Sequence, residues 1–230
     1  MKPKYFIEEY TLGIGNNPDY QESYKDVPGW IGGAEFIYEE MVNQAKDGAH
    51  FVEIGVLLGQ STTRMAELIK KSGKKIKFDA IDIFWLIPHT LERWEENGHP
   101  KQIYDYYINL SKAVQPAPNI MDLVKHPLKG LKVEEYVNLI TCDEKYAHRL
   151  YDDNSLDFVW LDGDHSEEVV YNDLVNFWPK MKKGGVIGGD DIFTSGVFYD
   201  VKKFSEEYDV EVKYNDIDGF NNFLINKRYK

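Results

Sequence analysis

The sequence predicts an α/β fold: one doubly wound sheet, mostly parallel, with an antiparallel strand at its C-terminal end. Three observations predict it. Short apolar runs alternate with stretches of helical periodicity along the chain. A turn bearing Gly55 and Gly59 joins the first apolar run to a helix. The last two runs are separated only by Asn215-Asp216-Ile217-Asp218-Gly219, so they must pair antiparallel, because a parallel return needs a long crossover.

In chain order, Phe36, Ile37 and Met41 fall at helical spacing within about 34–42 and lead into the strand Phe51-Val52-Glu53-Ile54. After Gly59, Ser61 is placed as an N-cap, with Met65, Leu68 and Ile69 on one face of the helix that follows. Strands are expected at about 76–83 and 137–141, separated by a long segment with a helix around Ile103 to Leu110. A fourth strand at 156–161 precedes a helix with Val170, Leu174 and Phe177 on one face, which Pro179 ends. Gly184-Gly185 leads into a fifth strand at Val186-Ile187. A helix near 197–208 and strands at 210–214 and 220–225 complete the series.

With 230 residues and 43% hydrophobic content, the chain supports one substantial core, and a single domain spanning 1–230 is expected. Within it, about 1–48 reads as an N-terminal helical extension and about 84–136 as an insertion. The net charge of −12 argues against a surface that holds a nucleic-acid backbone by counterion release. A lone cysteine, Cys142, excludes an internal disulfide framework and suits a reducing compartment. The start of the chain lacks an apolar signal stretch and no run is long enough to span a bilayer, so a cytoplasmic protein without a membrane partner is expected.

Two acidic clusters stand where apolar strands run out: Asp162-Gly163-Asp164-His165 after the fourth, Asp190-Asp191 after the fifth. Strand C-termini are where open parallel sheets bind ligands. Asp162, Asp190 and Asp191 fall at the ends of neighbouring strands, and three carboxylates so close repel unless a cation sits among them. A hard oxygen set suits Mg2+, with Ca2+ or Mn2+ as alternatives. The competing view is that Asp190 or Asp191 caps the next helix while Asp162 orients a cofactor. Glycines at 55 and 59 let a ligand approach the backbone, and the helix N-terminus beyond them offers N–H groups to an anion, although the same string also makes an ordinary tight turn. Asp82, at the end of the second strand, stands where doubly wound nucleotide-binding folds place an acid on ribose hydroxyls, and helix capping is its alternative role.

Taken together, Glu53-x-Gly55-x-x-x-Gly59, Asp82, Asp143, Asp162-Gly163-Asp164-His165 and Gly184-Gly185 resemble class I S-adenosylmethionine-dependent methyltransferases. The resemblance covers roughly 29–225 and is strongest to the magnesium-dependent sugar O-methyltransferases of macrolide and aminocoumarin biosynthesis. It implies a Rossmann-like seven-stranded sheet, to which the closing antiparallel hairpin conforms. This chain departs from the wider family in having Leu57 where a middle glycine is common.

The resemblance also implies roles for the cofactor-binding residues. Glu53 and Gly55 would line the methionine end of S-adenosylmethionine, Ser61 and the helix N-terminus would meet its carboxylate, and Gly59 is a further cofactor-binding residue. Asp82 would hold the ribose diol, and Asp143 would lie by the adenine unless it caps a helix after the third strand. Asp162 would serve cofactor and metal alike. A small-molecule hydroxyl must lose its proton as it attacks the sulfonium methyl, so a cation that acidifies it and a nearby base are expected. His165 is the candidate base, Asp164 its rival, and a surface histidine at a helix start the bland alternative.

Trp85, His89, Trp94, Tyr104, Tyr106 and Tyr107 in the insertion suit a lid over a sugar or aryl ring, or the core of an extra helix pair. The aromatic N-terminal and inserted segments are compatible with a homodimer. A metal-dependent phosphoesterase is the rival enzyme class, since Asp-Gly-Asp-His and Gly-Asp-Asp resemble metallohydrolase ligand strings. It leaves Glu53 and Asp82 without a role. A non-catalytic S-adenosylmethionine-binding module is the third alternative.

Overall fold

A computed structural model describes residues 23–27, 29, 31, 33–84, 120–217 and 220–228. The proposed lid aromatics, the helix around Ile103 to Leu110, and residues 1–22 of the N-terminal extension lie outside the described residues. The elements are α1 (Ala34–Gln44), β1 (His50–Ile54), α2 (Gln60–Ser72), β2 (Lys77–Asp82), α3 (Ile120–Gly130), β3 (Asn138–Thr141), α4 (Glu144–Ala147), β4 (Leu156–Leu161), α5 (Val169–Phe177), β5 (Met181–Gly189), α6 (Ser195–Tyr208), β6 (Val212–Ile217) and β7 (Phe220–Asn226). No helix among the described residues is long and apolar enough to cross a membrane.

The seven strands form one sheet in the order β3-β2-β1-β4-β5-β7-β6. The first five are parallel, and β7 runs antiparallel to both β5 and β6. The sheet is buried on both faces, which is why its central strands are near-continuous apolar runs. On one face α1, α2 and α3 cover Phe51, Phe78, Ala80, Phe158, Trp160 and Val186. On the other, α5 and α6 cover Val52, Ile54, Ile81, Val159, Leu161 and Ile187. Strand order reverses between β1 and β4, so their C-terminal ends flank the crevice where doubly wound sheets bind ligands.

Three local expectations are corrected. Ser61 is not the N-cap of α2: Gly59 is, in the left-handed region at φ 91°, and Ser61 lies inside the helix, buried. The strand β5 begins at Met181, before Gly184-Gly185, because the register with β4 shifts between Leu156 and Phe158 and absorbs the glycines as an irregularity. The expected turn of five residues is shorter, since Asn215, Asp216 and Ile217 continue β6 and pair with β7.

Candidate active site

The loop after β1 is closed by backbone contacts. Gly55 N donates to Ile81 O (2.9 Å) and Asp162 N to Ile54 O (2.8 Å), stitching the ends of β1, β2 and β4 together. A Cβ at Gly55 would lie 2.0 Å from the Asp162 carbonyl oxygen, and its φ of +90° is left-handed, so only glycine satisfies both demands. Asp82 Oδ2 accepts from Val56 N (2.8 Å) and Leu57 N (3.1 Å), while Oδ1 accepts from Phe84 N (2.7 Å). The carboxylate expected on a ribose thus also holds the glycine loop in place. Leu57 itself has φ 51°, so the position where the wider family favours glycine is left-handed in this chain, which carries a strained leucine there. Phe84 (φ 50°) and Asp191 (φ 55°) share that region, which places left-handed non-glycine residues after β1, β2 and β5. Such strain concentrates where surrounding structure fixes a site.

Glu53 is 1% exposed and lies on the α1–α2 face of β1. Tyr38 Oη donates to its Oε1 (3.0 Å) and Thr62 Oγ1 to its Oε2 (2.5 Å). Burial pushes its pKa up to about 7, although hydrogen bonds from Ser61, Thr62 and Tyr38 oppose the rise. Ser61 therefore turns inward toward Glu53. Tyr38 and Thr62 are partners that sequence spacing does not reveal, because they meet Glu53 across three elements.

At the ends of β4 and β5 the acidic residues meet as expected from their pairing, in which Leu161 stands opposite Gly189. Burial, followed by the charge of Asp190, raises the Asp162 pKa well above the ordinary carboxylate value. Asp190 is raised to about 6, mainly by burial, against the hydrogen bonds it accepts from Asp191 N (2.8 Å) and Asn222 Nδ2 (2.6 Å). His165 lies between the two clusters: Nδ1 is 3.0 Å from Asp191 Oδ2 and Nε2 is 3.9 Å from Asp162 Oδ1. Desolvation pulls the imidazole pKa down, but the Asp191 hydrogen bond and the charges of Asp162, Asp191 and Asp190 outweigh it and raise it to about 9. Among the described residues, no group of three His, Cys, Asp or Glu side chains is arranged to hold a metal ion. Thr194 is the N-cap of α6, and its N bonds the Asp191 carbonyl (2.8 Å).

Asp164 is exposed, and its Oδ1 accepts from both Ser166 N (2.8 Å) and Ser166 Oγ (2.5 Å), which closes a local turn. Asp143 caps α4 by accepting from Lys145 N (3.2 Å) and pairs with Lys145 Nζ (2.9 Å), the alternative its sequence context allowed. Between them lies Glu144, absent from the sequence expectations. Its Oε2 accepts from Asp164 N (3.1 Å), and a Cβ on Gly163 would fall 1.9 Å from that oxygen. The glycine of Asp162-Gly163-Asp164 thus makes room for a carboxylate. Burial lifts Glu144 to about 7, and burial together with Glu144 lifts nearby Asp173 to about 8.

The sequence matches the family model described as methyltransferase domain over residues 52–192, which is more than half of the chain. No curated protein matches it. Several solved structures share the fold. A SAM-dependent O-methyltransferase from Thermotoga maritima superposes with a TM-score of 0.53 at 15% identity, covering 86% of this chain and 65% of that one. This chain therefore spans just under two thirds of that protein's length. An O-methyltransferase from Bacillus cereus in complex with SAH gives 0.54 at 14% identity, covering 85% and 80%. A precorrin-6y C5,15-methyltransferase from Geobacter metallireducens gives 0.55 at 12% identity, covering 85% and 87%. Proteins with different methyl acceptors thus share this scaffold.

Proposed function

This chain belongs to the class I S-adenosylmethionine-dependent methyltransferases, and on that premise we propose that it methylates a hydroxyl of a small sugar-like or glycosylated acceptor with magnesium assisting. The observation that carries the proposal is the pairing of Asp162 and Asp190 on adjacent strand ends, beside a glycine loop held by Asp82. One wall of the crevice suits an adenosyl donor and the other an activated hydroxyl. The O-methyltransferases among the structural neighbours support the choice of oxygen.

On the donor side, Gly55 brings the β1 loop against the Asp162 backbone, and Glu53, fixed by Tyr38 and Thr62, would border the methionine end. Among the described residues Asp82 Oδ1 accepts a single hydrogen bond, from Phe84 N, and so retains acceptor capacity for a ribose hydroxyl.

On the acceptor side the carboxylates have the chemistry for a hard cation but not its geometry in the arrangement described. They offer only oxygen, and Asp162 and Asp190 resist ionising together through burial and mutual repulsion, a cost that a bound cation removes. Asp162, Asp190 and Asp191 would hold it, and it would lower the pKa of the acceptor hydroxyl. His165 lies between Asp162 and Asp191, and its raised pKa makes it a positive charge between them. Once those carboxylates are engaged elsewhere, the imidazole loses the interactions that hold its proton and becomes able to accept one from the hydroxyl. Asp164 is the weaker candidate base, because its Oδ1 is committed to Ser166.

A metal-dependent phosphoesterase has no use for Glu53 and Asp82 and does not share the family match. The test is transfer of a labelled methyl group from S-adenosylmethionine to a panel of nucleotide sugars and aryl glycosides. O-methyl products that vanish in chelator and return with magnesium support the proposal. Products formed at full rate in excess chelator would reduce the acidic cluster to a structural role.

A further inference from the structure

Glu53 is a buried carboxylate whose hydrogen bonds, among the described residues, come from neutral hydroxyls on two helices. Tyr38 Oη reaches its Oε1 from α1 (3.0 Å), Thr62 Oγ1 reaches its Oε2 from α2 (2.5 Å), and Ser61 donates beside Thr62. A buried carboxylate without a cation keeps its charge only through such donors. The ring of Tyr38 packs edge-on against Phe158 (centroids 6.0 Å apart) and Trp160 (5.6 Å), contacts that a phenylalanine would make as well. What the tyrosine adds is a hydroxyl for Glu53, and burial raises its pKa well above 10, which keeps it a donor. The helix α1 precedes the residues 52–192 that match the family, so this donor comes from outside the matched stretch. Glu35 Oε1 on Arg64 Nη2 (3.1 Å) fastens the same two helices one turn earlier along α1.

On the other side of Glu53 stands the first turn of α2. Its N-cap, Gly59, has no side chain to cap it, and the turn carries no acidic residue. With the hydroxyls of Ser61 and Thr62 both turned onto Glu53, what the turn keeps for an anion is its backbone N–H groups. Their direction depends on how the turn is seated. Gln60 Nε2 donates to Val27 O (2.8 Å) on one side, and Val124 Cγ1 lies 2.9 Å from where a Cβ on Gly59 would stand. Glu53 ties the turn to the sheet.

We propose that Tyr38 and Thr62 are positioning residues of the donor site: through the Glu53 carboxylate they lock the first turn of α2 onto β1 and α1, and so set its free N–H groups for the carboxylate of the methionine moiety. This rests on the S-adenosylmethionine donor reading given above. Two hydroxyls from two helices on one buried carboxylate make the seating of that turn a property of all three elements together.

The experiment is a calorimetric titration of S-adenosylhomocysteine into wild type, Thr62→Val, Thr62→Ser and Tyr38→Phe at pH 8, where the Glu53 carboxyl, raised to about 7, is ionised. Thermal melting establishes that each variant is folded. Valine keeps the shape of threonine without its hydroxyl, and serine keeps the hydroxyl without the methyl group, so the pair separates a hydrogen bond from packing. Thr62→Val and Tyr38→Phe should each weaken binding about 10-fold, the lower end of what one hydrogen bond to a charged group is worth. Thr62→Ser should stay within about threefold of wild type. The two hydroxyls come from different helices, so either variant decides if the other does not fold. Wild-type affinity in Thr62→Val or in Tyr38→Phe would overturn the link while leaving methyl transfer intact. A loss in Thr62→Ser as large as in Thr62→Val would assign the effect to packing and overturn it equally. No binding by the wild-type chain would overturn the donor reading as well.

Discussion

His165 Nδ1 lies 3.0 Å from Asp191 Oδ2 while the opposite ring nitrogen lies 3.9 Å from Asp162 Oδ1, so one imidazole bridges the carboxylates that follow β4 and β5. Its pKa is raised to about 9, because these charges outweigh the desolvation that would lower it. A raised folded pKa means that the stability contributed by the bridge is fully present below the unfolded value near 6.5. It is lost as pH rises through about 9. Proton NMR of the metal-free protein should therefore show the His165 ring titrating near 9, and added magnesium should shift that midpoint downward. A midpoint near 6.5 in metal-free protein would remove the bridge from the account.

Gly55 faces the Asp162 carbonyl so closely that a methyl group cannot be accommodated, and its φ is left-handed as well. Gly55→Ala should cost roughly 3 kcal/mol or more in denaturant unfolding, since a steric clash with backbone adds to the conformational penalty. Donor-side ligand affinity should fall with it. Wild-type stability in this variant would mean that the β1 and β4 ends can part without consequence.

Leu57 offers the opposite test. Its φ of 51° costs roughly 1 kcal/mol that glycine would avoid, against glycine's own entropy cost of about 0.5–1 kcal/mol. Leu57→Gly should therefore leave stability within about 1 kcal/mol of wild type or raise it. A fall beyond about 2 kcal/mol would show that burial of the leucine side chain outweighs the backbone strain.

At the opposite end of the sheet, Asp79 is 1% exposed and accepts from Tyr151 Oη (3.2 Å) and Asn138 Nδ2 (3.0 Å). His50 Nε2 lies 2.7 Å away and Lys77 Nζ 3.2 Å. Burial alone would raise its pKa, but these partners lower it from 3.8 to about 2. Depression of a carboxylate means stability that is present above about 3.8 and lost as pH falls through about 2. Asp79→Asn should destabilise the protein by roughly 2–3 kcal/mol at pH 7, with the difference shrinking toward zero near pH 2. Equal loss at both pH values would assign the effect to packing rather than charge.

Much of the fold is legible in the sequence because strands buried on both faces must be short apolar runs. Leu156–Leu161 is an example, and its boundaries follow from residue type alone. The misplaced boundary at Asn215-Asp216-Ile217 has the same cause in reverse. β6 is an edge strand whose backbone pairs only with β7, so polar residues are tolerated there and read as turn. At the site, the nearness of Asp162 to Asp190 and Asp191 is legible because neighbouring strands bring their ends together. Tyr38 on Glu53, Glu144 on Asp164 and Asn222 on Asp190 are not, since each contact joins elements whose relative placement is fixed only by packing. The displaced cap shows a subtler limit: Ser61 has the right chemistry for an N-cap, but Gly59 in the left-handed region ends the turn first and leaves the hydroxyl facing Glu53.

Calorimetric titration of S-adenosylhomocysteine into wild-type protein and Asp82→Ala addresses the donor site on which everything else depends. Wild type should bind one equivalent, in preference to NAD or a nucleoside triphosphate. Asp82→Ala should weaken binding by roughly 1.5–3 kcal/mol, because a charged acceptor is lost and the Val56 and Leu57 amides it holds are released. Tighter binding of NAD or a nucleoside triphosphate than of the methionine derivative would contradict methyl transfer as the function of this site.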